Sequence, residues 1–203
     1  MMPGRTPEKP HPVLLDDAAI RRALVSALHA VHRTDSDTAI LQELGLRCGR
    51  VRVDVAVVNG LLHGYEIKSD KDSLHRLSTQ MSLYAKVLDQ VTLVVGSRLL
   101  SHCIDTVPGW CGVLHASESL GCFHFSQVRA PRTNPARDPR ALVELLWFDD
   151  AIALLEQHNL ARGVRGKPRR FVWDRICAVI SVDEIATAVR ASLRARPMSQ
   201  LPA

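Results

Sequence analysis

Aromatic side chains make up only 4% of the 203 residues, which excludes an extended platform on which successive bases of a single strand would stack. Cysteine is also sparse. The five cysteines, Cys48, Cys103, Cys111, Cys122 and Cys177, are odd in number and include no CxxC pair. A closed disulfide framework and a zinc or iron-sulfur spacing are therefore not expected, and the thiols read as buried groups of a reducing compartment. His102, His115 and His124 share no metal-ligand spacing either. No apolar run reaches the length of a membrane span. Met1 to Pro12 is polar and proline-bearing rather than a signal peptide, so the expected location is the cytoplasm. Against these absences stand 46% hydrophobic side chains, enough for one core with appended helices.

The most informative stretch is Arg50 to Lys68. Val51, Val53, Val55 and Val57 alternate with Arg52, Asp54 and Ala56, the period of a strand with its odd positions in a core. After Asn59-Gly60 a second strand carries Tyr65 and Ile67 on one face and Gly64, Glu66 and Lys68 on the other. His63 shares the core-facing parity and is expected to be packed or hydrogen-bonded. The two apolar faces coincide only if odd residues pair with odd ones, which requires an odd loop. A two-residue Asn-Gly turn would put Asp54 and Glu66 on opposite faces. A three-residue loop Val58-Asn59-Gly60, with Gly60 left-handed at a bulge, sets Asp54 near Glu66.

Two carboxylates and a lysine on adjacent strands form a hard-oxygen site suited to Mg2+ or Mn2+. In such a site Lys68 would orient or deprotonate a water, or steady negative charge on phosphorus. Asp54 followed by Glu66-Ile67-Lys68 resembles the PD-(D/E)xK nuclease superfamily, with Val53 where a proline often precedes the aspartate. Glu43, on an expected short helix from Asp37 to Leu44, matches a further metal-ligating glutamate of that superfamily. Gln80-Met81-Ser82-Leu83-Tyr84 matches the QxxxY motif of its RecB-like branch. The stretch from Glu43 to Val95 also resembles a group of small bacterial proteins there, with Gly64-Tyr65-Glu66-Ile67-Lys68-Ser69-Asp70 as the core phrase. The resemblance implies an α/β fold of restriction-endonuclease-like type, a central mixed sheet of about five strands flanked by helices. It implies Glu43, Asp54 and Glu66 as metal ligands, Lys68 as the water's helper, and Gln80 and Tyr84 as groups orienting Lys68 or a phosphate.

Elsewhere, Asp16-Asp17 opens an amphipathic helix to about His32, with Ile20, Leu24, Leu28 and Val31 on its apolar side. Asp70-Lys71-Asp72 is expected to open the helix carrying Leu77, Met81 and Tyr84. Val91 to Val95 reads as a central strand, a helix follows near Leu99 to Asp105, and Trp110 to His115 with Cys122 to Ser126 read as late strands about Gly121. Residues 13–126 form the expected core, and 127–140, rich in proline and arginine, a linker. Residues 141–203 form a helical subdomain with helices at Val143 to His158, Phe171 to Ile180 and Val182 to Arg196, the last capped by Ser181.

Acidic and basic residues balance up to Ser126, so the formal net charge of +5 lies wholly in the C-terminal part. Arg162, Arg165, Lys167, Arg169 and Arg170 are its densest run, an electrostatic footprint for nucleic acid. The leading expectation is a cytoplasmic, Mg2+-dependent deoxyribonuclease acting in DNA repair, recombination or phage defence. The alternatives are a catalytically silent nucleic-acid-binding module of the same fold, and a metal-free regulatory partner binding another protein through the C-terminal helices. A homodimer is compatible with double-strand cutting, though the sequence marks no interface for one.

Overall fold

The computed structural model describes residues 15–196; Met1 to Pro12, expected not to be a signal peptide, lies outside them. The elements run α1 (Asp17–Val31), β1 (Ala39–Leu46), β2 (Val51–Val58), β3 (Leu62–Lys68), α2 (Leu77–Tyr84), β4 (Gln90–Val95), α3 (Leu100–Thr106), β5 (Gly112–Ser119), β6 (Cys122–Arg129), α4 (Pro139–Val143), α5 (Phe148–Gln157), α6 (Arg169–Val179) and α7 (Val182–Ala195). The strands form one mixed six-stranded sheet in the order β1-β2-β3-β4-β5-β6. Three antiparallel pairs, β1 with β2, β2 with β3 and β5 with β6, flank the parallel ladder β3-β4-β5. The parallel steps cross over through α2 and α3, as parallel neighbours require.

The sheet has six strands because the stretch expected as a helix from Asp37 to Leu44 is β1. Ile40, Leu41, Leu44 and Leu46 suit either period, but pairing along the whole of β2, from Ala39 with Val58 to Leu46 with Val51, decides for the strand. Arg47, Cys48 and Gly49 all take positive φ in the turn between these strands, where only glycine does so without steric cost. The parity argument for the next hairpin holds: Val55 pairs with Tyr65 and Val57 with His63. The loop itself is shifted by one residue. Val58 still pairs with Leu62, so the connection is Asn59-Gly60-Leu61, and Gly60 is not left-handed. The Asn59 side chain closes this loop by accepting from Leu61 N at 3.1 Å.

Both faces of the sheet are covered. α1 lays Ile20, Leu24 and Leu28 on Val55, Val57, Tyr65 and Ile67, whereas Val31, expected on that stripe, is 73% exposed. The opposite face holds the larger cluster, in which Leu41, Val53, Leu62 and Leu93 meet Leu77, Met81 and Tyr84 and continue without a break to Leu142, Leu155, Ile176 and Leu193. The helices after residue 138 are therefore packed on the sheet itself. Residues 130–138 lie between β6 and α4. The expected helix from Val143 to His158 is α5 alone, since Glu144 to Trp147 separate it from α4, which ends at Val143. α2 begins only at Leu77, because Asp72 turns back to accept from Ser69 N at 2.7 Å and holds the preceding segment in a turn. Ser181 caps α7 with the reciprocal Glu184 contact of a capping box. Cys103 and Cys111 are buried, but Cys48 and Cys122 are exposed, contrary to the expectation of buried thiols.

Asp89, at the foot of β4, fastens the C-terminal helices to this sheet. Its buried carboxylate accepts from Leu62 N at 2.7 Å, Arg137 Nη1 at 2.8 Å and Arg190 Nη1 at 3.1 Å. Removing one partner of a buried charge network strands the others, so Asp89→Ala is expected to cost about 3–5 kcal/mol. Urea unfolding monitored by far-UV circular dichroism measures it; a loss below about 1 kcal/mol contradicts this role.

Candidate functional site

The expected site forms where β2 and β3 part company. Their ladder stops at Val55 with Tyr65, and beyond it the Asp54 side chain takes the place of backbone, its Oδ2 accepting from Ile67 N at 2.7 Å. The change of course is shared with β1. Val55 and Val57 belong to the cluster beneath α1 but Val53 to the opposite one, and Glu43, in register with Asp54 between Gln42 and Leu44, sits at φ 54°. The faces of both strands thus invert at one position, and that position carries the two carboxylates.

Glu66 follows on β3, 2% exposed. Burying a carboxylate is tolerable only if its oxygens are met by donors. Oε1 accepts from Lys68 Nζ and from Gln80 Nε2, each at 2.6 Å. Oε2 lies 2.5 Å from the Tyr84 hydroxyl, which is also 2.7 Å from the Arg52 carbonyl oxygen, so one phenolic proton is shared between two acceptors. The i, i+4 spacing of Gln80 and Tyr84 does stack their polar ends on one helix face, but that face serves Glu66 rather than Lys68. Burial, followed by the charge of Glu66 and its hydrogen bond, pushes the Tyr84 phenol far up and keeps it a neutral donor. Gln80 Oε1 is buried without a hydrogen-bond partner.

The sequence reading missed Arg21. It reaches from α1 to Asp54 Oδ1 at 2.8 Å, to Asp17 Oδ2 at 3.0 Å and to Glu43 Oε1 in a short contact. Its guanidinium stands among three carboxylates, and its Nε is buried without a partner. The available signal was the Asp17-Arg21 pair at i, i+4, flanking Ile20 and Leu24. Asp54 titrates far above its ordinary 3.8, at about 7, first because it is buried and then because Glu66 lies near; the Ile67 amide and Arg21 oppose that rise.

This donor set does not fit the expected Mg2+ or Mn2+ site. Every carboxylate oxygen of Asp54 and Glu66 already faces an N–H or O–H donor, and Arg21 stands between Asp54 and Glu43, which is bound to Arg21 and Arg52. Among the described residues no group of three His, Cys, Asp or Glu side chains is placed to hold a metal ion. His63, of core parity as expected, bonds Thr92 Oγ1 at 2.8 Å and stacks on Tyr65. Burial, then the charge of His32, brings its pKa down to about 4.

Basic groups gather outside this cluster. A groove of about 580 Å³ at its mouth is lined by Arg50, Arg52, Arg76, Gln80 and Gly49, with Glu43 as its one carboxylate. A second, of about 360 Å³, is lined by Gly49, Cys48, Glu144, Trp147, Arg169 and Arg196. Gly49 belongs to both, so the left-handed turn between β1 and β2 joins them. Of the expected nucleic-acid contacts, Arg162, Lys167, Arg169 and Arg170 are exposed and form no salt bridge among the described residues, while Arg165 is held by Glu156. Lys167 lies over the Phe171 ring and Arg169 over Trp173. The run is thus brought to the edge of the second groove by Arg169 at the start of α6.

A mixed six-stranded α/β sheet with a closed, arginine-plugged carboxylate cluster is the class of protein that this geometry defines. The chain belongs to the family described as bacteriophage P4 protein cII, which matches residues 13–201. It is 25% identical over 183 residues to "Protein cII" of Enterobacteria phage P4, covering 90% of this chain and 68% of that protein. No solved structure matches. The family membership overturns the expected assignment to the PD-(D/E)xK superfamily and its RecB-like branch, and with it the nuclease, hydrolase and deoxyribonuclease readings. A short acid-x-lysine phrase on a hairpin misled here because it marks a buried ion pair equally well.

The raised pKa of Asp54 fixes a pH dependence. Between 3.8 and about 7 the folded form holds a proton that the unfolded chain has released, so stability falls as pH rises through that window and levels off above it. Asp54→Asn is expected to flatten this decline, measured as melting temperature against pH; a decline as steep as in the wild type contradicts the assignment. Arg21→Ala, which leaves like charges facing one another, is expected to cost about 2 kcal/mol at pH 8 and less at pH 4, where carboxylates take up protons.

Proposed function

We propose that this protein is a nucleic-acid-binding module without turnover, holding the phosphate backbone of DNA along the basic surface that runs from Arg76 and Arg52 through Arg50 to Arg169 and Arg170. The observation that carries this reading is the pair of grooves meeting at Gly49, the first lined by Arg50, Arg52 and Arg76 and the second edged by Arg169. Arg162 and Lys167 extend the surface, and Arg165 joins it when a phosphate competes with Glu156. Guanidinium groups suit this task because their forked donors match phosphate oxygens. The rings at this surface, Trp147, Phe171 and Trp173, lie under Arg196, Lys167 and Arg169, so contacts to the backbone rather than stacked bases account for the affinity. A restriction-endonuclease-like core, supported by the mixed sheet and its strand order, is part of the proposal as a matter of fold alone. Among the described residues no helix is long and apolar enough to cross a membrane.

A protein partner on the C-terminal helices is the second reading. It is favoured by a groove of about 620 Å³ between α5 and α7, with Ala153, Ala188 and Ala191 on its floor and Asp150, Asp183 and Glu184 at its rim.

Fluorescence anisotropy with duplex and single-stranded DNA over a salt series tests the first reading. Wild-type affinity is expected to fall steeply with salt, and Arg169→Ala with Arg170→Ala together to reduce the log-log slope by about 2, one for each phosphate no longer neutralised. Unchanged affinity in that double variant and in Arg50→Ala with Arg76→Ala overturns the reading. Because protein donors fill the carboxylate cluster, Mg2+ or Mn2+ is expected to leave the melting temperature unchanged; a rise with ion concentration means that the ion displaces Arg21.

A further inference from the structure

The two edges of the sheet are unlike. β1 is broken at Glu43, a charged residue in left-handed conformation, the kind of irregularity that blunts an edge against further pairing. β6 carries a bulge near its end, where Val113 pairs with Arg129 and Leu114 with Gln127, and no such guard from Cys122 to Ser126. Its sequence, Cys122-Phe-His-Phe-Ser-Gln-Val-Arg129, carries no proline and no charge before the last residue. Its backbone bonds only to β5 among the described residues. Phe123 and Phe125 are half-buried at the margin of the cluster beneath α1, and His124 and Ser126 are exposed on the other face. Val128, 46% exposed, is left unpaired at the bulge, and Leu120, 101% exposed, belongs to the left-handed turn before the strand.

We propose that β6 is the interface of a homodimer, in which it pairs antiparallel with β6 of a second copy and joins two six-stranded sheets into one. A neutral strand offers nothing to select a partner of opposite charge, but it brings no like charges together when it meets itself. One register satisfies its pattern. With His124 on the two-fold axis, directly opposite residues sum to the same position number, as antiparallel pairing demands. Phe123 then faces Phe125 of the second copy and Phe125 faces its Phe123, so four aromatic rings share the face beneath α1. Cys122 faces Ser126 of the second copy. Arg129, the first charge on the strand, lies beyond this pairing and is turned inward, bonding the carbonyls of Cys111 at 2.7 Å and Pro108 at 3.2 Å.

Sedimentation velocity on the full chain up to about 100 µM tests the proposal. A species of twice 22.5 kDa is expected for the wild type, and a monomer for His124→Lys, which sets two ammonium groups against each other on the axis and leaves the far-UV circular dichroism spectrum unchanged. In a background with Cys48 and Cys122 replaced by serine, His124→Cys is expected to give a covalent dimer on oxidation, since directly opposed residues of an antiparallel pair lie within disulfide range. A wild-type monomer at every concentration, a His124→Lys dimer, or no cross-link from His124→Cys overturns it.

Discussion

Glu66 carries a carboxylate into the middle of the sheet, and much of the surrounding architecture is arranged to meet it. α2 contributes Gln80 and Tyr84, and β3 turns Lys68 back upon its own strand. The parting of β2 from β3 exposes the carbonyl that shares the Tyr84 proton. A second carboxylate, Asp54, is drawn in to satisfy the amide that the parting leaves open. Burial first, and then the charge of Glu66, raises Asp54 and makes the cation from α1 necessary. Arg21 is thus part of the same electrostatic unit, and α1 is fixed to the sheet by charge as well as by its leucines.

Asp89 repeats this logic on the other side of the molecule. It stands at the start of the parallel ladder and draws arginines from the segment before α4 and from α7. The protein therefore holds its outer layers by inward carboxylates, Asp54 for the N-terminal helix and Asp89 for the C-terminal group. The cationic side chains left over from these pairings lie on the surface between, about the turn at Gly49.

The α/β class, the hairpin parity, the central strand at Val91 to Val95 and the cap at Ser181 were legible because each rests on local periodicity or a local hydrogen bond. The grouping of Asp54, Glu66, Lys68, Gln80 and Tyr84 was legible for the same reason, since strand parity and the four-residue helical spacing bring them to one place. β1 was not, because its leucines fit a helix as well as a strand and only pairing with β2 distinguishes them. Arg21 was missed for a different reason: two of its three partners lie 22 and 33 residues away, and its local pair with Asp17 marks a solvated helix face as readily as an inward one. The chemical meaning of the cluster was misread because carboxylates and a lysine at this spacing describe both a metal site and a self-satisfied ion pair. Arg21 is what tells them apart.

The simultaneous inversion of β1 and β2 at Glu43 and Asp54 bears on how this family can change in length. Loss of one residue from either strand alone would throw its side chains onto the wrong face and misalign everything toward the Gly49 turn. Loss of one from each, at opposed positions, would preserve the alignment. Length variation among relatives should therefore come in matched pairs across this hairpin, and an unmatched one should lie in the turn itself.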